Sequence, residues 1–355
     1  MNRLFAYLSA LILLLCGCTA GDDTTPAPAP DGSIRFDVQA GAKTRGSVIG
    51  GTTLPTTESF RVYAWKSLGG VTTVMMTRDA TDTESNVVSN TTGQWVPKKR
   101  YYWPDEAGAT VSFYAVYPKD FTVTEDGGDC VIDFTIPAAV ASQHDMMVAK
   151  TEDLALASTT NGAAPLTFGH ITSQVSFRAK LATAFTGWRV DVRGVRLCNV
   201  NSRGTYSYGS GTVTPASPAA LLNYDLVMAA SSVAVTSTAE TVALTSASDV
   251  AMLMPQTLTP WDRETETSGS FIPSTTGSYV AISCVITEPG GDVAFSGNTY
   301  VPLPAEWAPA NNYIYTLEFG SGYSADGELS VTTIALSCTI SEWGVGEGAT
   351  EEMIL

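Results

Sequence analysis

Two histidines, His144 and His170, are the side chains of this 355-residue sequence whose ordinary pKa lies near neutral pH. They are the natural candidates for a general base beside a nucleophile. Neither belongs to a catalytic motif, since no G-x-S-x-G, H-E-x-x-H, P-loop or dinucleotide fingerprint occurs. Both lie among strand-forming neighbours, where a hydrogen-bonded structural histidine is the commoner role. We therefore expect no enzymatic activity and no cofactor.

Metal chemistry has one candidate, the acidic run Glu125-Asp126-Gly127-Gly128-Asp129. Its carboxylates and carbonyls are of the kind that bind calcium. A solvated hairpin turn accounts for the same residues with fewer assumptions, because acidic residues and glycines favour turns. We adopt that interpretation and expect no metal site.

Thiol chemistry is limited to four cysteines after the first 18 residues: Cys130, Cys198, Cys284 and Cys338. No close pair suggests a metal site. Each lies among strand-like apolar residues, which favours buried free thiols. Disulfides stay open as an alternative, because an exported chain can form them.

The N-terminus carries a short positive start, an apolar stretch from Leu4 to Leu15, and then Leu15-Cys16-Gly17-Cys18. Twelve apolar residues are too few for a membrane-spanning helix of about 20 residues, whereas they suit a secretory signal. The last four residues resemble a bacterial lipobox. They predict a signal peptide of residues 1–17 and a lipid on Cys18, followed by a Pro-rich tether.

A protease-sensitive segment follows, Gly41-Ala42-Lys43-Thr44-Arg45-Gly46-Ser47. Small residues around two cations are typical of sites that proteases cut, and we predict cleavage between Arg45 and Gly46. Just upstream, Ile34, Phe36 and Val38 alternate with polar residues, which predicts a strand with one apolar face. Cleavage would release the propeptide 18–45 with this strand and leave an unpaired, apolar groove.

A second alternating segment lies near the C-terminus, with Ile334, Leu336, Cys338 and Ile340 on one face. This strand can complete its own domain, or it can fill the groove of a neighbouring copy. Strand addition gains main-chain hydrogen bonds and side-chain pockets together. Because head-to-tail addition does not close, it builds a filament.

The elements that position these segments are short strands rich in Val, Ile, Thr, Tyr and Phe, separated by Gly, Ser and Asn turns. This pattern predicts an all-β fold of sandwich type. Asn161-Gly162 marks a break, so we predict domains 46–164 and 165–355, the second ending in donor strands at about 329–355. A net charge of −16 argues against nucleic acid as a partner.

Several segments together carry a resemblance to a known family. They are Ser33-Ile34-Arg35-Phe36, Lys43-Thr44-Arg45, Tyr63-Ala64, Trp95, Tyr102-Trp103-Pro104, Phe113-Tyr114-Ala115-Val116-Tyr117-Pro118, Asp145-Met146-Met147-Val148-Ala149, Leu166-Thr167-Phe168-Gly169-His170, Met252-Leu253-Met254-Pro255-Gln256 and Trp307-Ala308-Pro309-Ala310-Asn311-Asn312-Tyr313-Ile314-Tyr315.

In this order and behind a lipobox, the segments resemble the fimbrillin-like family of Gram-negative anaerobes, whose members build type V pili. The sequence departs from the family at Ala310, where Gly is frequent. The resemblance implies two transthyretin-like β-sandwich domains in tandem, and export as an outer-membrane lipoprotein. It also implies cutting by an arginine-specific protease at Arg45 and polymerisation with other pilin subunits by donor-strand exchange.

Two alternatives stay open beside a shaft subunit. A tip adhesin would accept a donor strand, donate none, and bind a host glycan or protein, with Tyr206, Tyr208 and Tyr323 as candidate sugar-stacking rings. A permanently lipid-anchored surface protein would keep Cys18 because Arg45 is never cut. In each case the protein is expected at the outer membrane or cell surface.

Overall fold

The structure is a computed structural model, and it describes residues 32–40, 54–126, 129–261, 276–321, 334–342 and 351–354. The described residues form 25 strands and three single 3₁₀ turns, and they contain no α-helix. The predicted all-β class is thus confirmed.

The strands of the first half are β1 (Arg35–Ala40), β2 (Ser59–Leu68), β3 (Val71–Met76), β4 (Val87–Thr91), β5 (Gln94–Pro97), β6 (Thr110–Tyr117), β7 (Thr124–Asp126), β8 (Asp129–Thr135), β9 (Met147–Leu154) and β10 (Ala163–His170). The second half contains β11 (Ser173–Leu181), β12 (Arg189–Asn201), β13 (Arg203–Ser207), β14 (Thr212–Pro215), β15 (Leu221–Asp225), β16 (Val233–Val235), β17 (Val242–Ala243), β18 (Ala251–Leu253), β19 (Thr257–Leu258), β20 (Tyr279–Thr287), β21 (Val293–Pro302), β22 (Ala305–Glu306), β23 (Asn311–Phe319), β24 (Ile334–Glu342) and β25 (Glu351–Ile354). The 3₁₀ turns are Val140–Ser142, Leu156–Ser158 and Thr183–Phe185.

The first sheet has the strand order β3-β2-β4-β5-β1-β10-β9-β6. Because β6 also pairs with β2, the sheet closes into a ring of strands, to which β3 is attached as an extra edge strand. Closure leaves the ring strands without a free edge. The ring encloses the first core, which contains Phe60, Trp95, Phe113 and Phe168 together with side chains from β1.

The second half of the chain builds two further sheets. The second sheet has the order β17-β11-β23-β24-β25, with β18 also paired to β11. The third sheet has the order β15-β12-β20-β21, with β16 also paired to β12. Alternating inward residues from both sheets fill the larger second core, as the strictly alternating burial of β20 illustrates.

Strands from the two halves of the chain also meet directly. A fourth sheet, β14-β13-β8-β7, pairs β8 of the first half with β13 of the second. Ile132 and Phe134 of β8 lie in the second core. In the other direction, Leu166 and Phe168 of β10 lie in the first core, so the boundary predicted after residue 164 falls inside a strand of the first sheet. The tandem arrangement itself stays a prediction.

Candidate functional site

Strand β1 carries the predicted propeptide residues, and its apolar face is built into the first core. Ile34, Phe36 and Val38 are each at most 5% exposed, whereas Asp37 and Gln39 face solvent. The ring of Phe36 packs edge-on against Phe113, with 5.5 Å between ring centroids. Burying three such side chains contributes about 1.5–3 kcal/mol each. The predicted strand is therefore a structural part of the uncut chain.

The two edges of β1 are paired very differently. Along one edge, β1 runs parallel to β10 in continuous register from Arg35–Ala163 to Ala40–Phe168. Along the other edge, the register with β5 is limited to the single pair Phe36–Trp95. Removing β1 would therefore strip the whole edge of β10 and open the ring between β10 and β5.

The beginning of β1 is held by a separate set of contacts. The Ile34 amide donates to the Tyr101 carbonyl at 2.8 Å, and the Trp103 amide donates to the Gly32 carbonyl at 3.2 Å. The Trp103 indole donates to the Gly162 carbonyl at 3.0 Å. The Arg35 guanidinium donates to the Asn161 carbonyl at 3.0 Å. The bonds of Gly32, Ile34 and Arg35 fasten the end of β1 farther from Arg45.

The predicted donor strand β24 lies in the second sheet of its own chain. It pairs antiparallel with β23 along its full length, from Ile334 opposite Phe319 to Glu342 opposite Asn311. Ile334, Leu336 and Cys338 are buried in the second core, and Ile340 is partly buried against it. Strand β25 lies outside β24 and pairs with it from Ser337–Ile354 to Ile340–Glu351. In this structure the chain thus uses β24 in its own fold.

The fimbrillin-like family model matches residues 44–343, which is most of the chain. This chain belongs to the fimbrillin-like family. Among solved structures, a fimbrial protein from Bacteroides vulgatus has a TM-score of 0.59 at 14% identity, covering 87% of this chain and 99% of its own. The fimbrial anchor protein Mfa2 from Porphyromonas gingivalis has a TM-score of 0.37 at 11% identity, covering 88% of this chain and 98% of its own. The first of these likenesses shows a shared fold. No curated protein sequence matches the chain.

Three predicted site residues of this fimbrillin-like protein, Cys18, Arg45 and Gly46, lie outside the described residues, so lipidation and cleavage stay predictions. Within the described part of the chain, no helix is both long and apolar enough to cross a membrane.

The histidines of this fimbrillin-like protein differ in their surroundings. His170 ends β10, and its Nδ1 lies 2.8 Å from Oδ1 of the buried Asp145. This pair joins β10 to the segment before β9, as expected for a structural histidine. His144 is exposed at a cavity of about 260 Å³.

The last residue of the acidic run, Asp129, takes part in hydrogen bonds that hold the fold together. Asp129 accepts hydrogen bonds from the Ser207 hydroxyl and, at 2.7 Å, from the Gly209 amide, which fastens β8 to the turn after β13. Among the described residues no cluster suited to a metal ion occurs.

The prediction of buried free thiols is confirmed for all four later cysteines. Burial raises the pKa of the Cys284 and Cys338 thiols to about 12, so both stay protonated at neutral pH.

Of the three suggested sugar-stacking rings, the structure describes Tyr206 and Tyr208. Tyr208 is 1% exposed and donates its hydroxyl to the Ala115 carbonyl at 2.6 Å. Tyr206 is half-buried against Tyr208, with 5.2 Å between ring centroids. Tyr323 lies outside the described residues. The prediction of an exposed ring is wrong for Tyr208, because its hydroxyl serves as a contact between the two cores.

Proposed function

We propose that this protein is a pilus subunit that polymerises by exchanging β1 for a strand of another subunit. On this proposal it is exported as an outer-membrane lipoprotein through Cys18, and an arginine-specific protease then cuts between Arg45 and Gly46. The lipid and β1 leave together. A strand from a second copy then occupies the opened position between β10 and β5.

The position of β1 carries this proposal. It is the first described strand of the chain, and the predicted cut separates it from every later element. Its side chains nevertheless complete the first core, and its backbone completes the ring. A cut at Arg45 would turn this strand into a separate peptide held by non-covalent contacts alone. A strand of another subunit could replace it without any change elsewhere in the ring.

The geometry also defines what the incoming strand must do. It must run parallel to β10, as β1 does, and present apolar side chains at every second position. Its inward residues would occupy the places of Ile34, Phe36 and Val38. The predicted donor residues Ile334, Leu336, Cys338 and Ile340 have this alternation.

The test is cleavage of purified residues 19–355 with an arginine-specific protease. We expect a new N-terminus at Gly46, followed by oligomer growth in size-exclusion chromatography. An Arg45→Ala variant is the matched control and should stay monomeric. Absence of a cut at Arg45, or a cut without oligomers, would refute the polymerising subunit.

The place of β24 in its own sheet favours a second candidate, a tip subunit that accepts a strand and donates none. Removing residues 329–355 distinguishes the two, because it takes away the predicted donor strands. A donor that uses this segment would lose polymerisation. A tip subunit donates no strand, so its assembly would be the same with and without these residues. The lipid-anchored alternative predicts that the cell-surface form begins at a lipid-bearing Cys18, which mass spectrometry of that form detects.

A further inference from the structure

The outer face of the third sheet carries a trench with a floor of small residues. Gly194, Ser283 and Asn298 are register neighbours across β12, β20 and β21, and Arg196, Ala281 and Tyr300 form the next row. Ala281 on the central strand thus lies between the longer side chains of Arg196 and Tyr300, and Ser283 lies between Gly194 and Asn298. The cavity here measures about 380 Å³, within the range of about 300–1,000 Å³ typical of small-molecule sites.

One wall of the trench presents two guanidinium groups. Arg193 is the extra residue of a β-bulge, because Val192 faces Cys284 while Gly194 faces Ser283. Bulges re-aim side chains in this way, and Arg193 lines the cavity from an exposed position. Among the described residues, no hydrogen bond or ion pair involves its side chain. Arg196 beside it is held by Asp225 through contacts of 2.5 and 2.8 Å.

The opposite wall presents a hydrogen-bonding group, and an aromatic ring lies next to the cavity. Asn298 is exposed at the cavity, and its amide can donate and accept. Tyr300 in the next row is half-buried and does not line the cavity itself, but it is the register partner of Ala281, which does. Its ring is fixed edge-on by Tyr279 at 5.9 Å and Trp261 at 6.5 Å between centroids. A tyrosine held in this way offers a rigid apolar surface at low entropy cost.

We propose that this trench binds an acidic carbohydrate, a sugar unit that carries a carboxylate. The carboxylate would pair with Arg193, whose planar fork matches it in geometry and charge. The hydroxyls would bond to Asn298, Ser283 and the free acceptor capacity of Asp225. Where the sugar extends past Ala281, its apolar C–H face would lie against Tyr300.

The composition of the trench argues against other occupants. With Arg193, Arg196 and Asp225, it has one net positive charge on a chain whose net charge is −16. Such a chain repels a polyanion as large as nucleic acid while leaving a local site for a single carboxylate. The lining combines charged and polar side chains with the apolar Leu226 and Met228, and this mixture suits a sugar better than a wholly apolar peptide. The inference is independent of strand exchange, because the third sheet does not contain β1 or β24.

The test uses residues 19–355 and a tetrasaccharide of alternating glucuronate and N-acetylglucosamine. Its carboxyl-reduced analogue, with glucose in place of glucuronate, is the neutral control. We expect saturable binding of the acidic form by calorimetry. Binding should be at least tenfold weaker for the reduced analogue, for Arg193→Ala and for Tyr300→Ala. Arg203→Ala, an exposed arginine on β13, should bind as the parent does.

A Tyr300→Phe variant separates stacking from damage to the fold, because it keeps the ring and should keep the affinity within about threefold of the parent. Thermal unfolding of each variant confirms that it is folded. The proposal is overturned if the acidic tetrasaccharide does not bind at millimolar concentration. It is also overturned if the neutral analogue binds equally well, or if Arg193→Ala has no effect.

Discussion

At the scale of single residues, the two faces of β1 have different tasks. Phe36 packs on Phe60 and Phe113 in the first core, and it is also the register partner of Trp95 on β5. Gln39, three residues later, points to solvent. The stability that β1 gives the uncut chain should therefore come from its apolar face.

Phe36→Ala in the uncut chain should lower the free energy of unfolding by about 3–5 kcal/mol, the usual cost of removing a buried aromatic ring. Gln39→Ala on the same strand should change it by no more than about 0.5 kcal/mol. Urea unfolding measures both. Equal effects of the two substitutions would show that β1 is not packed as described.

Ala310 is the residue at which the sequence departs from the family, and the structure gives the physical consequence. Its φ is 58°, in the left-handed region that favours glycine. The penalty there is about 1–2 kcal/mol for a residue with a side chain. Its amide donates to the Thr172 carbonyl at 3.0 Å, so the turn is fastened in this conformation.

Ala310→Gly should therefore raise the free energy of unfolding by about 0.5–1 kcal/mol, since the conformational entropy of glycine offsets part of the relief. Ala308→Gly, without a positive φ to relieve, should lower it by about 0.5–1 kcal/mol. Thermal or urea unfolding compares the pair. A loss of stability in Ala310→Gly would contradict the left-handed conformation.

At the scale of elements, alternation in the sequence predicts that β1 and β24 exist and which side chains they bury. It does not predict their partners. The parallel register of β1 with β10 joins residues more than 120 positions apart, and no local pattern encodes that choice. The boundary predicted after residue 164 falls inside β10 for a local reason. The Asn161-Gly162 turn comes directly before the first residue of that strand.

The trench on the third sheet shows a second limit of sequence reasoning. Arg193 stands out only once the bulge in β12 is known, because simple alternation gives it an ordinary exposed position. The small residues Gly194, Ala281 and Ser283 become a floor only when β12 and β20 are placed side by side. A run such as Arg193-Gly194-Val195-Arg196 is the one local signal, and it is weak on its own.

The terminal strands β24 and β25 should differ in what they contribute to stability. Leu336→Ala should cost about 2–5 kcal/mol, because this side chain is buried in the second core. Removal of residues 351–355 should cost less than that, since β25 pairs with β24 alone among the described strands. Urea unfolding of the two variants measures both losses in the free energy of unfolding. A truncation as costly as Leu336→Ala would mean that β25 is an integral part of the second sheet.

At the scale of the whole molecule, contacts that do not involve β1 join the ring to the second core. Strands β8 and β13, from opposite halves of the chain, share the fourth sheet. Tyr208 reaches from the second core to the Ala115 backbone of the ring. Release of β1 would therefore open one gap, between β10 and β5, while these contacts hold the remainder together. This is the property that strand exchange requires of a subunit.

The central claim is that β1 must leave the ring before subunits can join, and a reversible tether tests it. Gln39 and Thr167 are exposed register partners on β1 and β10, with a strand spacing of about 4.8 Å that suits a disulfide. The double variant Gln39→Cys, Thr167→Cys should be cut after Arg45. The cut protein should stay monomeric while the disulfide is oxidised and form oligomers once it is reduced. A control tether between Lys180→Cys and Glu318→Cys, partners on β11 and β23, should polymerise in both states. Oligomer growth by the oxidised, β1-tethered protein at the rate of the reduced form would contradict the account.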